Sequence, residues 1–427
     1  MKKILLTGSI ILYMLGEVLA QPLLLTPGDP EKSGCSKAVF DRLDNLVQQY
    51  IDSQWIAGAT MIVVKNGTTV YHQALGFSDL SSHAKMKKDN IFRIASQTKA
   101  ITSVGVMVLL EQGKVLLDDP ISKYIPAFQK SVVLDKFNEA DSSYTTIPAK
   151  RPLTIRDLLT HTSGIGYAQI GSPQYTAIAA KAGVVAGLAP SLSLADQVDK
   201  IAHLPLEFQP GERWGYGLNI DVLGHLIERV SKQPLDKFFR QYILDPLGMN
   251  DTWFYLPADR RSRLVALHGE DSTGKLYKMV NSAGTNGLEL LPDYPNENGK
   301  MFAGGAGLVS TAYDYAVFMQ MILNGGTYNG KRIISANSVR LMTTNQIGDL
   351  MVGENKFGLG FAIYTPKSGA RLGVSPGSFD WGGAFSSSYW IDPEKKIVAQ
   401  MFINQFPNSH EEIHNKFKVQ VYSSLKD

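Results

Sequence analysis

Strand-forming patterns at both ends of the chain constrain its fold more than any other feature. Residues 59–65 and 68–75 are rich in apolar and β-branched side chains and flank Asn66-Gly67, the strongest short signal for a β-hairpin. Near the other end, residues 386–391 and 396–403 form a second pair of strand-like segments around an Asp-Pro turn. Because the two pairs stand at opposite ends of the chain, we expect the ends to meet in one antiparallel sheet.

The long stretch between these strands has a different pattern. Residues from about 97 to 340 combine helical periodicity with long loops and show no fixed repeat. An amphipathic helix is predicted before the first hairpin, from apolar side chains at Val39, Phe40, Leu43, Leu46, Val47 and Tyr50. The expected fold class is α/β, of the α+β kind. It consists of an antiparallel sheet flanked by helices in a domain of residues 37–427, with an α-rich lobe inserted at about 97–340.

The first twenty residues have the pattern of a cleavable signal peptide. Two lysines precede an apolar run over residues 4–15, and Val18-Leu19-Ala20 offers small side chains before a cleavage point at Gln21. A membrane anchor is the alternative, but the apolar run is short for a span and is interrupted by polar residues. Residues 21–36 contain prolines and glycines and are expected to form a linker. We therefore expect residues 1–20 to be removed, leaving a periplasmic or secreted protein without a membrane span.

Composition and charge narrow the possible function classes. The chain has 427 residues, of which 44% are apolar and 19% charged, and its net charge is +3. It is therefore an ordinary globular protein, and it lacks the basic clusters that are typical of nucleic-acid binding. The single cysteine, Cys35, excludes an internal disulfide. The eight histidines show no metal-ligand spacing, so neither a metal nor a nucleic-acid partner is expected.

One tetrapeptide carries the strongest chemical signal. Ser96-Gln97-Thr98-Lys99 places a hydroxyl and an amine one helical turn apart, immediately before the apolar run of residues 100–110. Residues three apart share a helix face, so Lys99 can reach Ser96 Oγ, and the free N–H groups at a helix start favour negative charge on that oxygen. A lysine buried among apolar neighbours can then act as a base. A serine that only caps the helix is the alternative reading of these four residues. The same spacing recurs in polar or terminal segments, at Ser82, Ser272 and Ser423.

Four motifs in a fixed order connect the chain to a known superfamily. They are residues 91–99, which contain Ser96; 158–164, Leu-Leu-Thr-His-Thr-Ser-Gly; 210–216, Pro-Gly-Glu-Arg-Trp-Gly-Tyr; and 379–384, Phe-Asp-Trp-Gly-Gly-Ala. Together they resemble the motifs of the serine β-lactamase and penicillin-binding superfamily, above all those of class C β-lactamases and the related family VIII carboxylesterases. The resemblance spans roughly residues 37 to 405. It implies a β-lactamase/transpeptidase-like fold with the active site between the sheet and the α-rich lobe.

The resemblance also implies roles for individual residues. Ser96 would be the nucleophile, Lys99 its base partner and Tyr216 the second member of the proton relay. The backbone N–H groups of Ser96 and Ala384 would form the oxyanion hole. In this superfamily the turn corresponding to residues 161–164 is architectural, so His161 is not expected to act as a general base.

Glycine-containing segments are expected to have backbone roles. Gly382 and Gly383 would let a substrate approach the strand that carries the last motif. The segment Gly304-Gly305-Ala306-Gly307 resembles a phosphate loop only superficially, because no Lys-Ser or Lys-Thr follows it, and we expect it to be a backbone turn. The chain contains no Gly-x-Ser-x-Gly motif, which argues against an α/β-hydrolase.

Two departures from the superfamily pattern bear on specificity. Where β-lactamases carry Tyr-x-Asn, this chain has Leu218 two residues after Tyr216, and Asn219 follows one position late. The amide that contacts a β-lactam's acylamido group is therefore expected to be lost. Trp381 stands where those enzymes have the lysine of Lys-Thr-Gly, so the cation that pairs with the substrate carboxylate is expected to be missing too. With Trp381 and Leu218 as substrate-binding residues, the cleft would suit a neutral, apolar acyl or alcohol group.

The sequence therefore predicts a serine hydrolase that forms an acyl-enzyme and needs no metal or cofactor. A carboxylesterase of small or medium esters is the favoured function. A β-lactamase or D-amino-acid peptidase acting on cell-wall-like amides is the first alternative. A penicillin-binding-like sensor that acylates without turnover is a further alternative, and so is an acyltransferase. The expected partner is a small-molecule ester or amide substrate, and neither the natural substrate nor the oligomeric state is indicated.

Overall fold

The computed structural model of the protein describes most of the chain after the expected signal peptide. The described residues are 25–168, 170–185, 192–280, 283–285, 288–290, 292–296 and 298–426. Residues 1–20, the expected signal peptide, lie outside them, so export stays a prediction from the sequence. Among the described residues, no helix reaches the length and apolarity that a membrane span requires.

The α-helices of the described residues begin with a long amphipathic one, as the apolar spacing after residue 37 predicts. In chain order they are α1 (Lys37–Asp52), α2 (Thr98–Glu111), α3 (Ile155–Leu159), α4 (Pro173–Lys181), α5 (Leu194–Ala202), α6 (Asn219–Ser231), α7 (Leu235–Phe239), α8 (Asp245–Leu247), α9 (Ala312–Leu323), α10 (Ala336–Met342), α11 (Pro366–Gly369) and α12 (Glu412–Ser423). A π-helical segment, Arg240–Leu244, joins α7 to α8.

The strands of the described residues fall into one large sheet and several two-stranded ribbons. In chain order they are β1 (Thr26–Pro27), β2 (Gly58–Lys65), β3 (Thr68–Asp79), β4 (Ala84–Lys85), β5 (Phe92–Arg93), β6 (Val132–Phe137), β7 (Tyr144–Pro148), β8 (His268–Glu270), β9 (Leu276–Lys278), β10 (Ala283–Thr285), β11 (Leu288–Leu290), β12 (Val309–Ser310), β13 (Thr327–Tyr328), β14 (Lys331–Arg332), β15 (Lys356–Phe357), β16 (Ala362–Ile363), β17 (Phe379–Gly383), β18 (Ser387–Asp392) and β19 (Ile397–Phe402).

The large sheet joins the two ends of the chain. Its spatial order is β1-β3-β2-β19-β18-β17-β16-β15, and β4 pairs with β3. The pairing of β2 with β19 is antiparallel, with Val64 opposite Val398, so the sequence prediction of a sheet built from both chain ends is confirmed. The sheet is mixed rather than purely antiparallel, because β1, from the expected linker, runs parallel to β3.

The turn between β2 and β3 has the geometry that its sequence predicts. Asn66 and Gly67 have φ values of +51° and +78°, both in the left-handed region. A two-residue hairpin turn that matches the twist of its strands needs this conformation, and Asn-Gly adopts it at low cost.

Helices cover both faces of the large sheet. Side chains alternate across β18, so that Trp390 packs with Phe40 of α1 and Phe417 of α12, whereas Tyr389 and Ile391 pack in the larger cluster that contains α2 and α9. The sheet is thus the middle of three layers. The layer of α2 and α9 is the one that carries the motif around residue 96.

The region between β5 and β15 contains more strand than the sequence pattern indicates. Helices α2 to α10 lie here, as expected, but β6 pairs with β7, β8 with β9, β10 with β11 and β13 with β14. These strands are two to six residues long, too short for a clear alternation of apolar and polar side chains. Helix α2 packs on α6, whereas α9 packs on β2 and β19.

Histidines whose pKa is lowered in the folded protein make its stability depend on pH, and His268 and His414 are two of them. Burial lowers the pKa of His268 and that of His414 from 6.5 to about 4. The unfolded chain therefore binds more protons between these values, so their contribution to stability is complete above pH 6.5 and is lost as the pH falls toward 4. We expect the melting temperature to fall over this interval, and His414→Gln to flatten the fall. His203→Gln, at an exposed histidine, is the matched control. Equal slopes in wild type and His414→Gln would contradict this assignment.

Candidate active site

Ser96 lies in a single 3₁₀ turn, Ala95–Gln97, that leads directly into α2. Ala95 has a φ of +44°, in the left-handed region that costs a non-glycine residue about 1–3 kcal/mol. Ala95 and Gln97 are both buried, so packing on either side of Ser96 holds this conformation. The turn places the Ser96 hydroxyl at the N-terminal end of α2, where free backbone N–H groups favour negative charge.

Lys99 follows one turn later, and its side chain is buried. Its Nζ donates hydrogen bonds to Ser96 Oγ at 3.0 Å and to the carbonyl oxygen of Gly305 at 2.7 Å. Only 3% of the residue is exposed. The contact between residues three apart is therefore present as the spacing predicts, and the amine is fixed where it can exchange a proton with the serine hydroxyl.

Tyr216 reaches the same serine oxygen from the loop that precedes α6. Its hydroxyl donates to Ser96 Oγ at 2.7 Å, and Lys99 Nζ lies 4.8 Å from the centre of its ring. When Lys99 and Tyr216 both donate, the serine oxygen accepts two hydrogen bonds. Loss of one proton from either partner turns that partner into an acceptor for the serine proton, so the geometry suits general-base activation.

A buried hydrogen-bonded set lies beneath the Tyr216 ring. His161 Nδ1 accepts from Asn219 Nδ2 at 2.9 Å, and Asn219 Oδ1 accepts a hydrogen bond from the Ser163 hydroxyl. The His161 ring centre is 5.0 Å from that of Tyr216. Burial, together with the charge of Lys99, holds the pKa of His161 well below its usual value, so the ring is neutral. These contacts fit a role in supporting Tyr216, and they occupy both the nitrogen and the oxygen of the Asn219 amide.

Aromatic rings surround Tyr216. The Tyr167 ring stacks on it at 5.3 Å between ring centres, and the Trp381 and Trp214 rings lie at 5.5 Å and 6.1 Å. Phe357 packs against Trp381 at 5.5 Å. The wall beside the serine is therefore aromatic and carries no cation at position 381.

The strand β17 approaches the serine turn closely. A side chain at Gly383 would collide with the carbonyl oxygen of Ile94, two residues before Ser96, so only glycine fits there. Ala384 follows at the exposed end of the strand, and within the described residues its N–H has no hydrogen-bond partner. An unpaired N–H in the cleft that Ser96 lines is the kind of donor that an oxyanion hole requires.

These groups open into a cleft of about 640 Å³. Most of the residues that the sequence predicts for the site line it, namely Ser96, Tyr216, Trp381, Gly382, Gly383 and Ala384. Lys99 is buried beneath the cleft surface and contacts Ser96 Oγ from the protein interior. Leu218 does not line the cleft: it is 1% exposed and packs in the main hydrophobic core, because it immediately precedes α6 with its side chain turned inward. The expected substrate contact of Leu218 is therefore not supported.

The far end of the cleft is polar, which the sequence analysis did not predict. Lys418 Nζ donates to Tyr364 Oη at 2.6 Å and contacts Asp380 Oδ2 at 3.2 Å. His414 Nδ1 hydrogen-bonds Ser388 Oγ at 2.8 Å beside them. Asp380 precedes Trp381 in the last motif, whereas His414 and Lys418 come from α12. Their spacing of four residues, next to the apolar positions of α12, was the signal that could have placed both on one helix face.

Comparison with known proteins gives a consistent result. The beta-lactamase family model matches residues 43–422. A putative D-alanyl-D-alanine carboxypeptidase of Escherichia coli O157:H7 is 29% identical over 418 residues, which cover 95% of this chain and 91% of that protein. Esterase EstB of Burkholderia gladioli is 27% identical over 362 residues, 82% of this chain and 86% of the esterase.

A solved structure resembles the whole described fold. The structure of EstCE1, a hydrolase with promiscuous acyltransferase activity, has a TM-score of 0.78 and 26% identity, and the match covers 90% of this chain and 99% of that one. The expected β-lactamase/transpeptidase-like fold is therefore confirmed. Since the family match also runs from α1 to α12, the protein belongs to the beta-lactamase family.

Proposed function

We propose that the protein is a carboxylesterase that cleaves small or medium esters through a covalent acyl-enzyme on Ser96. The observation that carries this proposal is the contact of Ser96 Oγ with both Lys99 Nζ and Tyr216 Oη at an open, aromatic-walled cleft. A hydroxyl that touches two proton carriers at a helix start is suited to nucleophilic attack. Export of the enzyme to the periplasm or medium is part of the proposal.

The chemical steps follow from this geometry. Ser96 Oγ attacks the ester carbonyl carbon and passes its proton to the Lys99–Tyr216 pair, while the carbonyl electron pair moves onto oxygen. The N–H groups of Ser96 and Ala384 would stabilise that oxyanion. Its collapse breaks the bond to the alkoxy oxygen, which takes the proton and leaves as the alcohol. Water then attacks the acyl-enzyme through the same pair, and the acid leaves as Ser96 regains its proton.

The cleft favours an ester over a carboxylate-bearing lactam. Trp381 provides an aromatic surface where a cation would pair with a carboxylate, and the Asn219 amide is bound to His161 and Ser163. Lys418 does reach the cleft, but Asp380 lies 3.2 Å from it and compensates its charge. Each missing charge-assisted contact is worth roughly 1.5–3 kcal/mol.

The substrate preference is directly measurable. We expect p-nitrophenyl butyrate to exceed nitrocefin by at least about two decades in kcat/KM, since a few kcal/mol of contacts to the lactam are missing. Trp381→Lys should raise nitrocefin turnover relative to butyrate turnover, even if both fall because the indole also packs the wall. Trp381→Gln, which removes the ring without adding charge, is the matched control. A wild-type enzyme that prefers nitrocefin would overturn the esterase assignment and leave the acyl-enzyme chemistry intact.

A β-lactamase or D-amino-acid peptidase is the second candidate, and the position of Lys418 favours it. A substrate carboxylate that displaced Asp380 would gain an ion pair with Lys418, 9% of whose side chain is exposed. The name of the Escherichia coli relative agrees with this alternative. Adding a D-Ala-D-Ala peptide to the substrate comparison distinguishes the two, and a single burst without steady-state turnover would instead indicate a sensor.

A further inference from the structure

The turn at residues 304–307 holds the side chain of Lys99 in place. Gly304 O accepts a hydrogen bond from Thr102 Oγ1 of α2 at 2.7 Å, and an added Cβ at Gly304 would lie 2.7 Å from Ile220 O of α6. The turn is therefore wedged between the two helices. Its next residue, Gly305, provides the carbonyl that accepts from Lys99 Nζ at 2.7 Å. A segment that the sequence marks only as a backbone turn thus fixes the lysine.

A buried carboxylate binds the backbone N–H of Gly305, the residue whose carbonyl accepts from Lys99. Asp221, in the first turn of α6, accepts a hydrogen bond from Gly305 N–H to its Oδ1 at 3.1 Å and is 3% exposed. An added Cβ at Gly305 would lie 2.7 Å from Asp221 Oδ2, so the glycine packs directly on the carboxylate. Gly305 therefore connects Asp221 to Lys99 through one donor and one acceptor.

The charges of Asp221 and Lys99 are coupled. Burial raises the pKa of Asp221, and the Lys99 charge lowers it. Tyr167 and Tyr294 also sense this carboxylate, since burial and, to a smaller extent, its charge raise the pKa of each phenol well above the usual value. Both phenols are therefore neutral, whereas the positive charge of Lys99 acts on Asp221 and opposes the effect of burial.

We propose that Asp221 is a positioning residue for Lys99. The Asp221 carboxylate clamps Gly305 against the lysine, and its negative charge sets the pH at which the Ser96–Lys99 pair becomes reactive. The proposal rests on the acyl-enzyme function proposed above. An opposite charge in a buried site favours the ammonium form of a lysine. Asp221 thus holds Gly305, and through it the Lys99 amine, in place.

Two substitutions of Asp221 separate the effect of its hydrogen bond with Gly305 from the effect of its charge. Asp221→Asn keeps an oxygen that can accept from Gly305 N–H but removes the charge. The acid limb of the pH–rate profile should therefore move at least about one pH unit lower, while the plateau rate stays within a few-fold of the wild-type rate. Asp221→Ala removes both, and we expect kcat to fall roughly 10–100-fold at every pH with little change in KM. Asp314→Asn is the matched control, because Asp314 is a buried carboxylate, 6% exposed, on α9.

The rate of Ser96 labelling by a fluorophosphonate, measured against pH, gives a readout that does not depend on the ester chosen. In this reaction Ser96 Oγ bonds to phosphorus and fluoride leaves. A labelling profile for Asp221→Asn that coincides with wild type, in a variant that melts as wild type does, would overturn the inference. Absence of labelling in the wild type would instead overturn the proposed function, so the two failures are distinguishable.

Discussion

Ser96→Ala is expected to abolish ester turnover and covalent labelling together. The hydroxyl is the one group at the head of α2 that contacts both Lys99 and Tyr216, so its removal leaves the proton carriers without a nucleophile. We expect kcat to fall by roughly 10⁴-fold or more, the usual effect of removing such a nucleophile. Intact-mass measurement after fluorophosphonate treatment should show one adduct on wild type and none on the variant.

A second Ser-x-x-Lys sequence supplies the control for this experiment. Ser272 precedes Lys275 at the same spacing but lies in an exposed turn. Ser272→Ala should therefore keep full turnover and a single adduct, which peptide mapping should assign to Ser96. An adduct at the buried Ser163 would show that the mechanism is wrong.

Tyr216→Phe is the second large effect, and Lys99→Ala should resemble it. Each substitution removes one of the two proton carriers on Ser96 Oγ while leaving the aromatic packing or the helix largely in place. We expect kcat to fall by 10²–10⁴-fold in each, as is usual for general acid–base groups. The measurement is steady-state hydrolysis of p-nitrophenyl butyrate, with melting temperatures to confirm folding.

The stacked neighbour Tyr167 provides the matched control for Tyr216. Its ring lies 5.3 Å from that of Tyr216, and it shares the aromatic environment. Tyr167→Phe should therefore retain most of the activity. Full activity in Tyr216→Phe, or a greater loss in Tyr167→Phe, would mean that the wrong tyrosine has been assigned.

Local patterns were sufficient to predict the four neighbouring strands β3, β2, β19 and β18 of the sheet and the contact between Lys99 and Ser96. The Asn66-Gly67 turn and the apolar strands around it are short-range signals, and so is the spacing that brings Lys99 to Ser96. Tyr216 lies 120 residues from Ser96 in sequence, so no periodicity could connect them, and the pairing was predicted only through the resemblance to a known superfamily.

The remaining features depend on packing that spacing does not encode. Leu218 faces inward because α6 begins at the next residue, which a motif comparison at fixed offsets does not show. Gly305 contacts both Lys99 and Asp221 only because the turn at 304–307 is inserted between α2 and α6. The polar end of the cleft likewise appears only when α12 packs beside β17 and brings Lys418 to Asp380.

The central place of β19 has a consequence for biosynthesis. β2 has β3 on one side and β19 on the other, so a nascent chain presents one open edge of β2 until residues 397–402 have left the ribosome. β17, which carries Gly382 and Gly383, also emerges late. An incomplete polypeptide therefore has Ser96 but lacks the strand that lies beside it in the finished fold. An unpaired strand edge is a template for association with other strands, so the fold is exposed to aggregation until its last strands are made.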